Sequence, residues 1–441
     1  MKRTMFALLA TFAVLGVACT GGGSDEPSGG SSGGVTEITL WHGYGIAGKP
    51  LPGGVVNYEA KAMDDLITEF NATHPEIKVN NVYCCTNDKA LEKLTVALQG
   101  DQQPDITYQF GTSLPQIANV PNVMDLTERV KDAGFGWDDF FPGARAASTV
   151  DGRVLGIPAL IDDLAIVYNK QLFKDAGVAE PTAEWTWDDF RAAAKALTDP
   201  AEKRFGWAYP VDASEDTVWH YDAMLWEAGG DILNPDNTQA VFNEAPGVTA
   251  LTMLRDMAVT DQSVYLDPQN TGKIEDLFNS GSIGMLVTGP WDLSSFPDVD
   301  YGVQIMPSFP GGNHDTISGP DMWVLFDNGQ QQADASWEFV TWMTQKGQIQ
   351  QDAMTSGHLP TKASVLTIPG FTKAFNDKYP GNGLFAENLN NVNKARPVLA
   401  AYDQISKAMG DAIAAVLLGE KEPQAALDEA AQQVNDILAS S

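Results

Sequence analysis

Over residues 36–108 apolar side chains recur with two alternating periods. Ile38 and Leu40 have the two-residue spacing of a half-buried strand, and Met63, Leu66, Ile67 and Phe70 mark one face of a helix. Ile77, Val79 and Tyr83 return to the strand pattern, and Leu91, Leu94 and Leu98 mark a second helix that Gly100 ends. Residues 104–108 ("PDITY") read as a third strand. This β-α-β-α-β order predicts an α/β fold with a mainly parallel, covered sheet, whose ligands sit beyond the carboxyl ends of the strands. Residues 41–44 and 108–111 fall at those ends. Farther on, Thr186 and Asp189 in "TWDDFRAAAKAL" have the spacing of a capping box, residues 282–287 read as a strand, and Leu427, Ala430, Val434 and Ile437 line a final amphipathic helix. No internal repeat is visible.

The first 34 residues follow a different pattern. Lys2 and Arg3 precede a mostly apolar run, residues 5–18, too short to cross a hydrocarbon core of roughly 30 Å but right for the apolar region of an export signal. In "LGVAC", Ala18 before Cys19 resembles the lipobox of bacterial lipoproteins, with the departure that Leu15 stands four residues before the cysteine rather than three. Residues 20–34 hold nothing apolar to bury and read as a flexible tether. The expectation is a signal peptide at 1–18, a lipidated cysteine and tether at 19–34, and a globular body held at the cell membrane on its extracytoplasmic face.

That location bears on the glycine pattern in "WHGYGIAGKP", residues 41–50, which spells G-x-G-x-x-G and nearly a phosphate loop. Nucleotides are scarce outside the cytoplasm. Moreover Pro50, Leu51 and Pro52 follow where a magnesium-binding hydroxyl and a helix N-terminus are required. The stretch is expected to be a loop exposing Trp41, His42 and Tyr44. A formal net charge of −31, two units more negative without Lys2 and Arg3, argues against nucleic acid and anionic membrane surfaces. Once Cys19 is lipidated, Cys84 and Cys85 have only each other or another chain as oxidation partners. They form a strained vicinal disulfide or stay as buried thiols.

The segments "ITLWHGYG", "LITEFNATHPEIKV", "QPDITY", "GIPALIDDLAIVYNKQLFKDAGV", "EWTWDDF", "MLWEAGGDIL", "GSIGMLVTGPW" and "GHLPT" together resemble, in order and spacing, the extracellular solute-binding proteins of carbohydrate ABC importers, the class that includes maltose-binding protein. The resemblance covers essentially the whole chain after the tether. It implies a two-lobe, type II periplasmic-binding-protein-like fold whose hinge is crossed three times, near Ala159, Ser308 and Trp342. Residues 35–159 plus 309–342 then form the N-terminal lobe and 160–308 plus 343–441 the C-terminal lobe. A mono- or oligosaccharide closes the lobes by touching both, and the ABC permease recognises the closed state.

Sugars offer C–H faces to aromatic rings and hydroxyls to carboxylates, amides and arginine. The resemblance implies an indole contact from Trp291 in "TGPW" and another from Trp219, so that rings grip the guest above and below. It also implies an acidic contact from Asp162 or Asp163, of which alternation along a strand admits one, and Asp162 is chosen. Gln109, at the end of its strand, Asp321 in "SGPDMW" and Arg396 in "ARPVLAAY" complete the set with Tyr44. His220 and His358 are weaker candidates, and Trp226, Trp337 and Trp342 read as core. No metal, cofactor or catalytic residue is implied, and a monomer is expected. The rival class, a secreted glycosidase, draws on adjacent acids such as Asp138/Asp139 and Asp188/Asp189, which read better as helix N-terminal charges. G-x-S-x-G occurs only within the glycine/serine tether at residues 29–34, where no strand-to-helix turn is expected, and H-E-x-x-H does not occur. A second alternative is a glycerol-phosphate or other polar metabolite, with Arg396 at the anion.

Overall fold

The computed structural model describes residues 34–51, 54–269 and 273–440. The expected signal peptide, the lipidation site Cys19 and the tether up to position 33 lie outside the described residues. In chain order the strands are β1 Thr36–His42, β2 Ile77–Tyr83, β3 Ile106–Phe110, a hairpin of β4 Thr149–Val150 and β5 Arg153–Val154, β6 Ile157–Asp163, β7 Ala165–Asn169, β8 Phe205–Ala208, β9 Val264–Tyr265, β10 Ile283–Thr288, β11 Tyr301–Gln304 and β12 Ser318–Leu325.

These strands build two five-stranded sheets, ordered β2-β1-β3-β12-β6 and β11-β7-β10-β8-β9. In the first, β1, β2 and β3 run parallel as their alternation with helices requires, while β12 returns antiparallel to both β3 and β6. In the second, β8, β9 and β10 are parallel and β7 runs antiparallel to β10 and β11. Each sheet is buried on both faces. Along β12, Trp323 and Leu325 pack into one cluster with Ile38, Phe70 and Phe339, while Met322 and Val324 pack into another with Leu94 and Ile117. Along β7, Ile166 and Tyr168 face the large cluster containing Trp187 and Trp226, while Ala165 and Val167 face the one around Phe278 and Phe375.

The periodic side chains behave as their spacing requires. Helix Tyr58–Thr73 buries Met63, Leu66, Ile67 and Phe70, and the Asn57 side chain caps it by accepting from the Ala60 N–H. Helix Ala90–Gln99 buries Leu94 fully and Leu91 and Leu98 partly. The last helix, Pro423–Ser440, lays Leu427, Ala430 and Val434 into the core against helix Tyr402–Leu417.

The chain passes between the sheets three times. The first passage is the single residue Leu164, between β6 and β7; residues 160–163, expected to open the second lobe, instead complete β6 and pair with β12. The second is residues 305–317, which contain Ser308. The third follows helix Gln330–Met343, whose Phe339, Val340 and Met343 lie in the first-sheet core. Trp342 is in that helix's last turn, and helix Lys346–Ser356 then places Ile349 and Ala353 in a second-sheet cluster. The first two passages are joined at one atom: the Leu164 carbonyl accepts from Thr316 Oγ1 at 2.7 Å and from Asn388 Nδ2 at 2.9 Å.

Thr186 and Asp189 form the reciprocal capping box that starts helix Trp187–Leu197. The box fixes Trp187, whose buried indole N–H donates to Glu227 Oε2 at 2.6 Å. Glu227 ends helix Glu215–Glu227, and the opposite end of that helix carries Glu215, Asp216 and Trp219. Replacing Thr186 by Ala is expected to lower unfolding free energy by about 1 kcal/mol, read from denaturant midpoints at constant slope.

Candidate functional site

Between the two sheets lies a cavity of about 580 Å³. The first sheet and its helices contribute Glu59 from the first turn of helix Tyr58–Thr73, Tyr108 and Phe110 from β3, Asp162 from β6, and Gly319 and Asp321 from β12. The second half contributes Glu215, Asp216 and Trp219 from one helix end, Trp291 from the turn after β10, and Arg396. Smaller cavities adjoin it, among them one of about 40 Å³ that shares Glu59, Leu160 and His358 and is lined by Tyr44. Another of about 330 Å³ shares Glu59 and Trp291, and one of about 240 Å³ shares Asn87, Phe110, Ser214 and Glu215.

Asp162, Trp219, Trp291, Asp321 and Arg396 are thus brought together around one space. Asp163, on the other face of β6, is fully enclosed, and its carboxyl is pushed well above the usual range by burial and then by the neighbouring Asp162 charge. Gln109 lines the 240 Å³ extension rather than the main cavity, with no partner for its buried Oε1. Tyr44 lines neither.

Of the residues expected to be exposed on a loop, Trp41 and His42 instead end β1, Trp41 is half-buried, and His42 and Tyr44 are buried. His42 and Tyr44 are 2% and 6% exposed, and their rings stack at 5.4 Å. Asn57 Nδ2 donates to the Tyr44 carbonyl at 2.8 Å while its Oδ1 caps the following helix, so one side chain ties the loop down. Gly45, at φ +94°, leaves room for that amide; a Cβ there would come within 2.5 Å of it. Tyr44 therefore packs edge-on against Tyr108 in the first-sheet core.

The two indoles share a wall. Trp219 and Trp291 have centroids 5.7 Å apart with planes tilted by 36°, and a ring sandwiched between them needs about 7–8 Å. The expectation of rings above and below is therefore corrected: both come from the second half of the molecule and present a single apolar surface. Trp226, Trp337 and Trp342 pack in or against the cores.

The polar rim is largely self-paired. Glu215 accepts from Arg396 Nη1 at 2.6 Å, from Tyr402 at 3.0 Å and from Ser406. Asp321 accepts from the Tyr108 hydroxyl, and burial pushes its carboxyl up to about 7 against the opposing pull of that hydrogen bond and of Arg396. His358 stands between Asp162, which meets its Nδ1, and Glu59 Oε1, which meets Nε2 at 2.9 Å. Burial opposes its charge, yet the two carboxylates outweigh burial and hold the imidazole protonated well above its ordinary range. Glu59 was not among the expected contributors and His358 was only a weaker one, because an acid in a helix's first turn and a lone histidine carry no spacing signal. Phe110 was within reach, since it ends a parallel strand.

Residues 56–350 match the family described as bacterial extracellular solute-binding protein. Among solved structures, a cyclic α-maltosyl-1,6-maltose binding protein from Arthrobacter globiformis is 26% identical with a TM-score of 0.75, the match covering 92% of this chain and 100% of that one. An ABC substrate-binding protein from Listeria monocytogenes, in complex with cycloalternan, is 26% identical with a TM-score of 0.81 over 92% and 100% of the two chains. An sn-glycerol-3-phosphate-binding periplasmic protein of Yersinia enterocolitica is 24% identical over 431 residues, 92% of each chain.

Two outcomes follow from this geometry. A Cβ on Gly289 would fall 1.8 Å from the Trp291 indole; Gly289→Ala is therefore expected to displace the ring and weaken ligand binding about tenfold, or about 1.4 kcal/mol by calorimetry. Asp321 faces Tyr108, Arg396, Asp162 and His358 and takes up its proton as pH falls through about 7. Affinity for a ligand that donates to this carboxylate is expected to decline from roughly pH 8 to pH 6, and Asp321→Asn to flatten that profile.

Proposed function

The chain belongs to the bacterial extracellular solute-binding proteins, and from that premise we propose that it captures a saccharide between its two lobes and delivers it to the permease of an ABC importer. The observation that carries this reading is the chemistry of the cleft, which combines an apolar surface of Trp219 and Trp291 with the polar side chains of Asp162, Asp321, Glu59 and Arg396. A flat sugar face suits the first and ring hydroxyls suit the second. The adjoining spaces of about 330 and 240 Å³, which meet the main cavity at different residues, enlarge it beyond a single ring and favour an oligosaccharide. The similar proteins from Arthrobacter globiformis and Listeria monocytogenes, named for or complexed with gluco-oligosaccharides, point the same way.

A phosphate-bearing ligand suits the cleft less well. Arg396 is already neutralised by Glu215, and Glu59, Asp162, Asp216 and Asp321 line the same space. Binding without turnover also fits the rim. Asp162 is committed to His358 and to the Leu359 N–H, Glu215 to Arg396, Tyr402 and Ser406, and Asp321 to Tyr108. The proposal extends to residues 1–34: export by the signal at 1–18 and lipidation at Cys19 tether a monomer to the outer face of the membrane. Closure turns the two lobes about the three passages, the first taken at Leu164.

Calorimetry with maltose, maltotriose, a cyclic tetrasaccharide and sn-glycerol-3-phosphate tests this. We expect roughly micromolar binding, near −8 kcal/mol, of an oligosaccharide, weakened about tenfold by Trp291→Ala or Trp219→Ala. Heat from glycerol phosphate alone, or turnover of chromogenic glycosides, overturns the reading.

A further inference from the structure

Beside the cleft, directly after β2, two half-buried cysteines stand next to each other in sequence and in space. Cys84 and Cys85 are free thiols whose sulfurs lie 2.7 Å apart, in hydrogen-bonding contact and closer than the roughly 3.5–4 Å of ordinary van der Waals contact. Nothing around them suits a metal: among the described residues, no group of three or more histidines, cysteines and acids is placed to hold one. What the pair does adjoin is the ligand space, since Thr86 and Asn87, the next two residues, line the main cavity.

That segment has little slack. The Cys84 N–H donates to the His42 carbonyl at 3.2 Å, which pins its start to β1. Asn87 is pressed against Gly43, where a Cβ would meet its backbone nitrogen at 2.5 Å and its Oδ1 at 2.2 Å. Asn87 Oδ1 has no hydrogen-bond partner and is shielded from solvent. Between these two anchors lie Cys85 and Thr86, whose carbonyl accepts from the Lys89 N–H at 3.0 Å.

We propose that Cys84 and Cys85 form a reversible vicinal disulfide in the exported protein, and that closing the ring tightens ligand binding by ordering Thr86, which lines the cavity beside the anchored Asn87. The effect on binding rests on the function proposed above; the disulfide itself does not. The oxidant is of the disulfide class, either a small molecule or an exported thiol–disulfide oxidoreductase. Cys85 attacks one of its sulfurs, losing its proton, and the oxidant's S–S bond breaks to release one thiol. The Cys84 sulfur then gives up its proton and attacks Cys85 Sγ, breaking the mixed disulfide and releasing the second thiol. Two protein thiols are oxidised and one disulfide is reduced to two thiols. Burial, and then the contact with Cys85, pushes the Cys84 thiol up to about 12, which makes its attack the slow step near neutral pH.

The test uses the full chain purified after export, divided into samples treated with dithiothreitol or with excess oxidised glutathione. Intact mass and thiol labelling are read first, then calorimetric titration with the saccharide that binds. The oxidised sample is expected to lose two hydrogens and take no label. It is also expected to bind about fivefold tighter than the reduced one, the size of effect expected from ordering a side chain or two beforehand. Cys85→Ser and Cys84→Ser are each expected to bind like the reduced protein under both treatments. Two labelled thiols after glutathione treatment, or a disulfide-linked dimer in place of the ring, overturns the disulfide. Equal affinity of the ring-closed and reduced forms overturns its coupling to the cleft. A closed ring with no heat from any saccharide upholds the disulfide and strikes instead at the function proposed above.

Discussion

A protonated imidazole held between two carboxylates organises the floor of the cleft. His358 reaches Asp162 with one ring nitrogen and Glu59 with the other, and the adjacent Leu359 N–H adds 2.9 Å to Asp162 Oδ1. Charges this deeply buried are tolerated only when paired, and stripping one partner leaves the others uncompensated. The three residues come from the last strand of the first sheet, the first turn of an early helix and the segment beyond the third passage. Their ion pairing holds those parts together where they line the cavity.

The rest of the rim follows the same logic of neutralisation in place. Arg396 and Glu215 cancel each other, and Tyr108 satisfies Asp321. An acidic protein thereby presents a cleft that is polar without demanding a counter-charge from its guest. Specificity then comes from shape and from hydroxyl geometry, with the paired indoles supplying the apolar footing.

Much of the fold was legible because it rests on local regularities. The 3.6-residue face of Met63, Leu66, Ile67 and Phe70, the two-residue alternation at Ile38 and Leu40, and the Thr186–Asp189 box each depend on neighbours in sequence. The gathering of Asp162, Trp219, Trp291, Asp321 and Arg396 came from resemblance, not periodicity, because those residues lie on five separate elements. Tyr44 was misread because its environment is set by Asn57, thirteen residues on, and by a glycine that looked like a phosphate-loop signal. The indoles were misjudged for a similar reason: sequence names the rings but not the side of the cleft each occupies. Antiparallel β12 was out of reach too, since its partners β3 and β6 lie far back in the chain.

The Leu164 carbonyl, accepting from Thr316 and Asn388 together, has a mechanical consequence. Two strands of the connecting region are riveted at that atom, so they cannot slip lengthwise past each other without stranding a buried acceptor. Shear is thereby suppressed and torsion is left, with the pivot line running through the rivet. In the closure proposed above, residues farthest from Leu164 travel most for a given twist.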